Sequence, residues 1–514
     1  MIGKTNFALA SLCILAFAGF ARIAAAASCE GLASGSLAVA NATITSATLV
    51  AAGEFVAPPA GRGGPPSAAA AFKDVPAFCR VRATLKPTSD SDIRIEVWMP
   101  ASGWNGKLQS LGNGAYAGAI GYPGLGVAVA QGYAAASTDT GHTGGSASFA
   151  MGHPERLIDF AYRGVHEMTL AAKKIISAYY GSAAKRAYWN GCSTGGRQAL
   201  TEAQRFPADY DGILAGAPAS YTSHMTAAQL WIGQAVHQSD ASYIPPQKYP
   251  AIHAAVLAAC DALDGVKDGV LEDPTRCHFD PAVLACKGAD GPSCLTAPQV
   301  EAARKIYSGP ISPRTKQQIF PGLEPGSENG WTGLAGPEAF AYALERFRFI
   351  ALQDPNWDFH TLNLDTDVAR AEKADGAVMN AIDPNLKPFF GHGGKLLMYH
   401  GWNDPLIAPL NSVHYYTSVV DTLGGAAKTE SSIRLFMVPG MNHCRGGDGT
   451  DNFDAIGTLD QWVENGKAPE QIIASHRTNG AADRTRPLCP YPQVAVYKGS
   501  GSTDDAANFS CKSR

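Results

Sequence analysis

Gly191-Cys192-Ser193-Thr194-Gly195 is a G-x-S-x-G pentapeptide. In that pattern a serine stands on a sharp turn from strand to helix, and the glycines are needed because side chains beside the turn would clash. Residues 187–190 predict a short aromatic strand before it, and a helix follows through Arg205. The chemistry on offer is attack by the Ser193 hydroxyl on an acyl carbon. The bland alternative is a tight turn carrying a surface serine. A serine hydroxyl is a weak nucleophile unless a base takes its proton and a carboxylate orients that base.

Two later motifs supply those groups in the order serine, aspartate, histidine. Asp404, in His400-Gly401-Trp402-Asn403-Asp404-Pro405, follows a predicted strand over 395–400. His443, in Pro439-Gly440-Met441-Asn442-His443-Cys444, follows a predicted strand over 433–438. His400 is the second candidate for the base, though its place within a strand suits a core residue better. An acyl-transfer site also needs donors aimed at the oxyanion. The Thr194 amide is one candidate. Gly114, in the turn Leu111-Gly112-Asn113-Gly114-Ala115, is the choice for the other, against a mere glycine-rich turn.

Of 11 cysteines, Cys13 falls in a leader, which leaves ten. Cys29–Cys79, Cys260–Cys277, Cys286–Cys294 and Cys489–Cys511 make short-range pairs, leaving Cys192 and Cys444. These adjoin the candidate nucleophile and base. If Ser193 and His443 lie within hydrogen-bond reach, their neighbours fall within the roughly 4.4–6.8 Å Cα separation of a disulfide. A Cys192–Cys444 bridge would then clamp two remote loops; the alternative is a pair of buried thiols.

Asp261, Asp264 and Asp268 crowd into one short loop with Gly265 and Gly269. A hard cation with oxygen ligands would relieve their repulsion, with carbonyls from Val266 and Val270 completing the set. The spacing is not that of an EF-hand, and a solvated acidic turn is the competing reading. A Cys260–Cys277 bridge would staple the loop by about 3 kcal/mol. Calcium here would be structural.

These residues need a scaffold. The chain has 514 residues, enough for two to four units at roughly 150 each. It is 46% hydrophobic, with 41 basic against 45 acidic residues for a net charge of −4. That balance, without a dense basic run, excludes a nucleic-acid partner that would rely on phosphate neutralisation. With 55 glycines and 33 prolines, turns are frequent and coiled coils are poor candidates. Residues 1–27 read as an export signal: Lys4, an apolar stretch over 7–20, then small residues at 24–27. A membrane anchor is the alternative, but Gly19 and Arg22 interrupt a run already shorter than the ~20 residues a bilayer requires. A lipoprotein anchored at Cys29 is a weaker alternative still. The mature chain is therefore expected to be soluble, secreted or periplasmic, with no membrane association after signal removal.

Strands are expected over 94–99, 107–111, 132–137, 187–190, 212–216, 395–400 and 433–438, with a helix over 160–180 stopped by Gly181. That alternation is the mark of an α/β sheet. It lapses between 220 and 392, which reads as an inserted domain over the C-terminal edge of the sheet, where such sheets bind ligands. The division is thus a signal at 1–27, a core at 28–219, a lid at 220–392 carrying the acidic loop, and the rest of the core at 393–514. Residues 57–71, rich in proline, glycine and alanine, read as a surface loop.

The stretch Gly191 to Gln198, the motif Gly401-Trp402-Asn403-Asp404-Pro405 and the motif Gly440-Met441-Asn442-His443-Cys444 resemble the tannase/feruloyl esterase family of secreted serine hydrolases. The resemblance spans essentially the whole mature chain. It implies an α/β-hydrolase fold with a large inserted lid domain, and a disulfide joining the cysteines beside the catalytic serine and histidine. It also implies a calcium site on Asp261, Asp264, Val266, Asp268 and Val270, and no organic cofactor. The implied substrates are small aromatic esters: feruloyl or other hydroxycinnamoyl esters, galloyl esters, or terephthalate monoesters. The lid would form the acyl pocket, where Trp331, Phe340, Phe347 and Phe349 are candidates. The family's terephthalate-monoester hydrolases use a lid arginine, for which Arg346 and Arg348 are nearby. Thr194 is closer to the feruloyl esterases, which are therefore the first expectation. A hydrolase of aliphatic polyester oligomers and a non-catalytic, calcium-stabilised binding protein are the competing readings. Oligomeric state is open.

Overall fold

The computed structural model describes residues 1–3, 27–35, 37–58 and 72–513. The expected export signal and most of the expected loop over 57–71 lie outside the described residues.

A nine-stranded sheet runs through the chain in the order β1-β2-β3-β5-β4-β6-β7-β8-β9. The strands are β1 (Ala42–Val50), β2 (Phe78–Leu85), β3 (Ile93–Pro100), β4 (Lys107–Leu111), β5 (Ala134–Thr138), β6 (Arg186–Cys192), β7 (Gly212–Gly216), β8 (Lys395–Gly401) and β9 (Ile433–Val438). The pairs β1–β2, β2–β3 and β3–β5 are antiparallel; β5–β4, β4–β6 and every pair from β6 to β9 are parallel. Parallel strands need helical crossovers that cover both faces, so β5 and β7 are buried at every residue. Alternate residues of a strand point to opposite faces. Trp189, Leu396 and Met398 pack with the helix Gly164–Tyr180 on one side. Tyr188, Leu397 and Phe436 pack with the helix Ala455–Asn465 on the other.

The expected strands all form, within two residues at each end. The helix Gly164–Tyr180 stops at Gly181, whose φ of 70° is the left-handed cap a glycine supplies. The expected start at 160 differs: a separate turn, Pro154–Ile158, and a π-type turn, Asp159–Arg163, precede the helix. β1 and β2 were not expected; Ala42–Val50 is threonine- and alanine-rich and lies at the sheet's edge with a single buried residue, Ala47. Two hairpins near the C-terminus, Ile472–Thr478 with Ala481–Leu488 and Gln493–Tyr497 with Phe509–Ser513, also lack a strong apolar alternation.

Between β7 and β8 the chain forms helices and short turns, with Thr222–Val236, Tyr249–Cys260 and Ala297–Ser308 the longest. The last begins with a reciprocal capping box between Thr296 and Gln299. Met225, Ile232 and Trp331 from this segment share a core with Phe160 and Ala219 of the sheet side.

β6 and β7 approach the following helix so closely that glycine is required. A Cβ on Gly196 would lie 2.3 Å from Gly216 O and 2.8 Å from Pro218 Cα. Gly196→Ala is expected to lower stability by about 1–3 kcal/mol, the usual cost of overpacking. Gly114→Ala meets nothing within 4 Å and should leave the denaturant midpoint unchanged in the same assay.

Candidate active site

Ser193 lies between the end of β6 and the helix Thr194–Arg205 with φ 64° and ψ −120°. A non-glycine residue holds such a backbone only when its surroundings impose it. Ser193 N donates to Gly216 O at 3.0 Å, and Ser193 O accepts from Arg197 N at 3.0 Å and Ala219 N at 3.1 Å. A Cβ on Gly191 would sit 2.4 Å from Gly195 O, and one on Gly112 would sit 2.6 Å from Gly195 Cα. The glycines thus let three backbone segments crowd around the turn that presents the hydroxyl.

Asp404 follows β8 and is fully buried. Its Oδ2 lies 2.7 Å from His443 Nδ1 and 3.0 Å from His400 Nε2. Its Oδ1 accepts the amides of Leu406 at 2.8 Å and Ile407 at 3.0 Å. Burial alone would raise this carboxyl's pKa, but the two imidazoles hold it far below the ordinary range. For His443, burial disfavours the charged form, yet the adjacent Asp404 charge and hydrogen bond prevail and its pKa is raised above 6.5. His400 is fully buried, and its Nδ1 lies 2.7 Å from Ser412 Oγ. It anchors Asp404 from behind and does not face the cavity, as expected for a residue inside a strand.

Ser193 and His443 line one cavity of about 380 Å³. The Cys192–Cys444 disulfide joins their neighbours with Cα atoms 6.1 Å apart. The other four expected pairs also form: Cys29–Cys79, Cys260–Cys277, Cys286–Cys294 and Cys489–Cys511. Gly114 and Thr194 lie on the same cavity wall. Thr194 opens its helix, where amides have no intrahelical partner. The neighbouring Asn113 amide is already bound to Gln198 Oε1 at 3.0 Å, so Gly114 is the next amide in that turn.

The rest of the cavity is mainly apolar: Met225, Phe340, Tyr342, Leu406 and Ile407, with Gln229. Among the described residues, no lysine or arginine lines it. Three expected pocket residues lie away from this lining. Trp331 is fully buried, donating Nε1 to Ser327 Oγ and packing edge-on against Tyr249 and Tyr307. Arg346 is sealed in an ion pair with Asp375 and donates to Thr226 Oγ1 at 3.2 Å. Phe349 is absent from this lining and packs against the core that the helical segment shares with the sheet side. Phe347 likewise stacks on Trp357, and Arg348 donates to Trp357 O at 2.9 Å. Phe340 does reach the cavity. Leu406 and Ile407 could have been found from their place just after Asp404, whereas nothing local marks Met225 or Tyr342.

In the acidic loop, Asp264, Val266, Asp268 and Val270 surround a void of about 10 Å³, joined by Glu272. That is about the size of one solvent-sized sphere. Asp261 is not on its wall; its carboxylate accepts the amides of Asp268 and Gly269 at 3.0–3.2 Å and closes the loop. Arg486 pairs with the Asp268 carboxylate, and Arg484 donates to Asp268 O at 3.1 Å. The same void is lined by the carboxylates of Asp264, Asp268 and Glu272, by Arg484 and Arg486, and by apolar residues such as Ala495 and Phe509.

A family model described as tannase and feruloyl esterase matches residues 79–512. An uncharacterized esterase of Xanthomonas campestris is 41% identical, over 95% of this chain and 91% of its own. A probable feruloyl esterase B-2 of Aspergillus terreus is 33% identical, over 87% and 88%. Among solved structures, feruloyl esterase B from Aspergillus oryzae aligns with a TM-score of 0.87 and 30% identity, covering 94% of this chain and 99% of that one. Tannin acyl hydrolase from Aspergillus niger aligns at 0.78 and 23% identity, covering 94% and 95%, a likeness of fold.

A base must be neutral to accept a proton, so ester hydrolysis should rise with pH along a limb whose midpoint lies above 6.5. Asp404→Asn removes the charge that raises His443 and the acceptor that fixes its tautomer. We expect kcat to fall on the order of 10⁴-fold and the limb's midpoint to move down, as read from kcat/KM across pH.

Proposed function

The chain belongs to the tannase and feruloyl esterase family and is a carboxylic ester hydrolase; on that premise we propose that it cleaves esters of aromatic acids, feruloyl and other hydroxycinnamoyl esters first. The observation that carries this reading is the cavity itself, where Ser193 and His443 share a wall with apolar and aromatic side chains.

His443 takes the Ser193 proton as Ser193 attacks the ester carbonyl, and Asp404 holds the imidazole with Nδ1 protonated. The Thr194 and Gly114 amides receive the oxyanion, each worth about 3–4 kcal/mol in comparable sites. His443 then protonates the departing alcohol, leaving an acyl group on Ser193. Water repeats the sequence and releases the aromatic acid. The mainly apolar wall suits a neutral aromatic ring. A terephthalate monoester would bring its free carboxylate to a wall without arginine or lysine, and an unpaired buried charge is costly.

The void beside Asp264, Asp268 and Glu272 is the place for a structural calcium ion, with Val266 and Val270 beside it and Asp261 closing the loop. The ion would neutralise the carboxylates and has no part in ester chemistry. Five disulfides suit an oxidising compartment, and no helix among the described residues is long and apolar enough to cross a membrane. The disulfides support export to the periplasm or the medium.

Ser193→Ala should fold yet lose turnover and fluorophosphonate labelling, while the wild type turns over methyl ferulate faster than methyl gallate and far faster than mono-hydroxyethyl terephthalate. Substantial turnover in the mutant would remove Ser193 from its role, and preference for gallate would make the enzyme a tannase. For calcium, EDTA should lower the melting temperature and added Ca²⁺ restore it, with Asp264→Asn no longer responding. A wild type indifferent to both would leave the loop without a metal.

A further inference from the structure

The oxyanion turn and the nucleophile are remote in sequence, Thr194 and Ala115 being 79 positions apart. Their relative position must therefore be set by contacts. Gly114 has no side chain to anchor it, and its carbonyl is bonded locally, accepting the Ala117 amide at 2.8 Å. Its two neighbours are held instead, both from the helix that begins after Ser193. Thr194 Oγ1 donates to Ala115 O at 3.0 Å. One turn on, Gln198 Oε1 accepts the Asn113 amide at 3.0 Å while Gln198 Nε2 donates to Asn113 Oδ1 at 3.1 Å. Asn113 Nδ2 is tied in turn to Thr138 O at 2.8 Å. Thr194 and Gln198 are each 1% exposed, so water does not compete for these bonds. Ala115 has φ 44°, a backbone that a residue with a side chain keeps only under restraint.

We propose that the Thr194 hydroxyl is a positioning group that sets the Gly114 amide relative to Ser193, with Gln198 as the second clamp on the same turn. One residue then serves both halves of the oxyanion site: its amide faces the oxyanion, and its hydroxyl ties down the segment carrying the other donor. The proposal rests on Ser193 being the nucleophile. Such a group acts on the transition state, where the oxyanion forms, and leaves binding of the planar ester largely untouched.

The test compares wild type with Thr194→Val, which keeps the side chain's shape and removes the donor, and Thr194→Ser, which restores it. Losing a whole oxyanion donor costs roughly 10²–10³ in kcat, so a displaced one should cost about 30-fold, with KM changed less than about threefold. An arylboronic acid, which becomes tetrahedral on the serine, should lose affinity by a similar factor, while the matching planar amide inhibitor should not. Thr194→Ser should recover kcat to within about threefold of wild type. Thr194→Val keeping full kcat and boronate affinity would overturn the proposal, as would equal losses for boronate and amide. Should Thr194→Val fail to fold, Gln198→Met must show the same split between boronate and amide, or the proposal fails. If Ser193 is not the nucleophile, the wild type itself is not labelled there by a fluorophosphonate, which separates that failure from this one.

Discussion

Everything at the site depends on one backbone constraint, the positive φ of Ser193. It is sustained by close packing rather than by the serine. Gly112, Gly191, Gly195 and Gly196 allow the ends of β4, β6 and β7 to meet the next helix at distances that forbid side chains. The Ser193 backbone is bonded on both sides, to Gly216 and to Arg197 and Ala219. Because that turn also begins a helix, it exposes the hydroxyl and the Thr194 amide together. The sheet thus supplies rigidity, and the turn converts it into a reactive geometry.

The electrostatics follow the same division between fixed frame and open pocket. Asp404 is out of water, and its two oxygens are matched by two imidazoles and two amides. Full pairing makes a buried carboxylate tolerable, where a lone one would be protonated. It stays charged, so His443 is drawn toward its protonated form and becomes a stronger base. On the other side of the cavity the lining is aliphatic and aromatic. The site therefore sets a paired, buried charge beside a mainly apolar lining.

The candidate triad was legible because its groups lie in short motifs at strand ends, where spacing and order carry information. Cys192 and Cys444 were legible for the same reason, since each adjoins a candidate catalytic residue. The pocket was not. Trp331 and Phe349 look like ring-binding residues, yet the helical segment must also pack on the sheet side, and Trp331 lies in that shared core with Phe349 against it. Arg346 lies close to Phe349 in sequence, but Asp375, far along the chain, claims its charge. Such choices depend on which face of a short helix turns inward, and no single-sequence pattern resolves that over helices of five residues. β1 was missed because an edge strand need not be apolar, and the outward turn of Asp261 toward amides depends on the closure of its own loop.

The bridge between Cys192 and Cys444 spans 252 positions in sequence and joins the loop that carries Ser193 to the loop that carries His443. A nascent polypeptide that still carries thiols lacks this link, however well its sheet has formed.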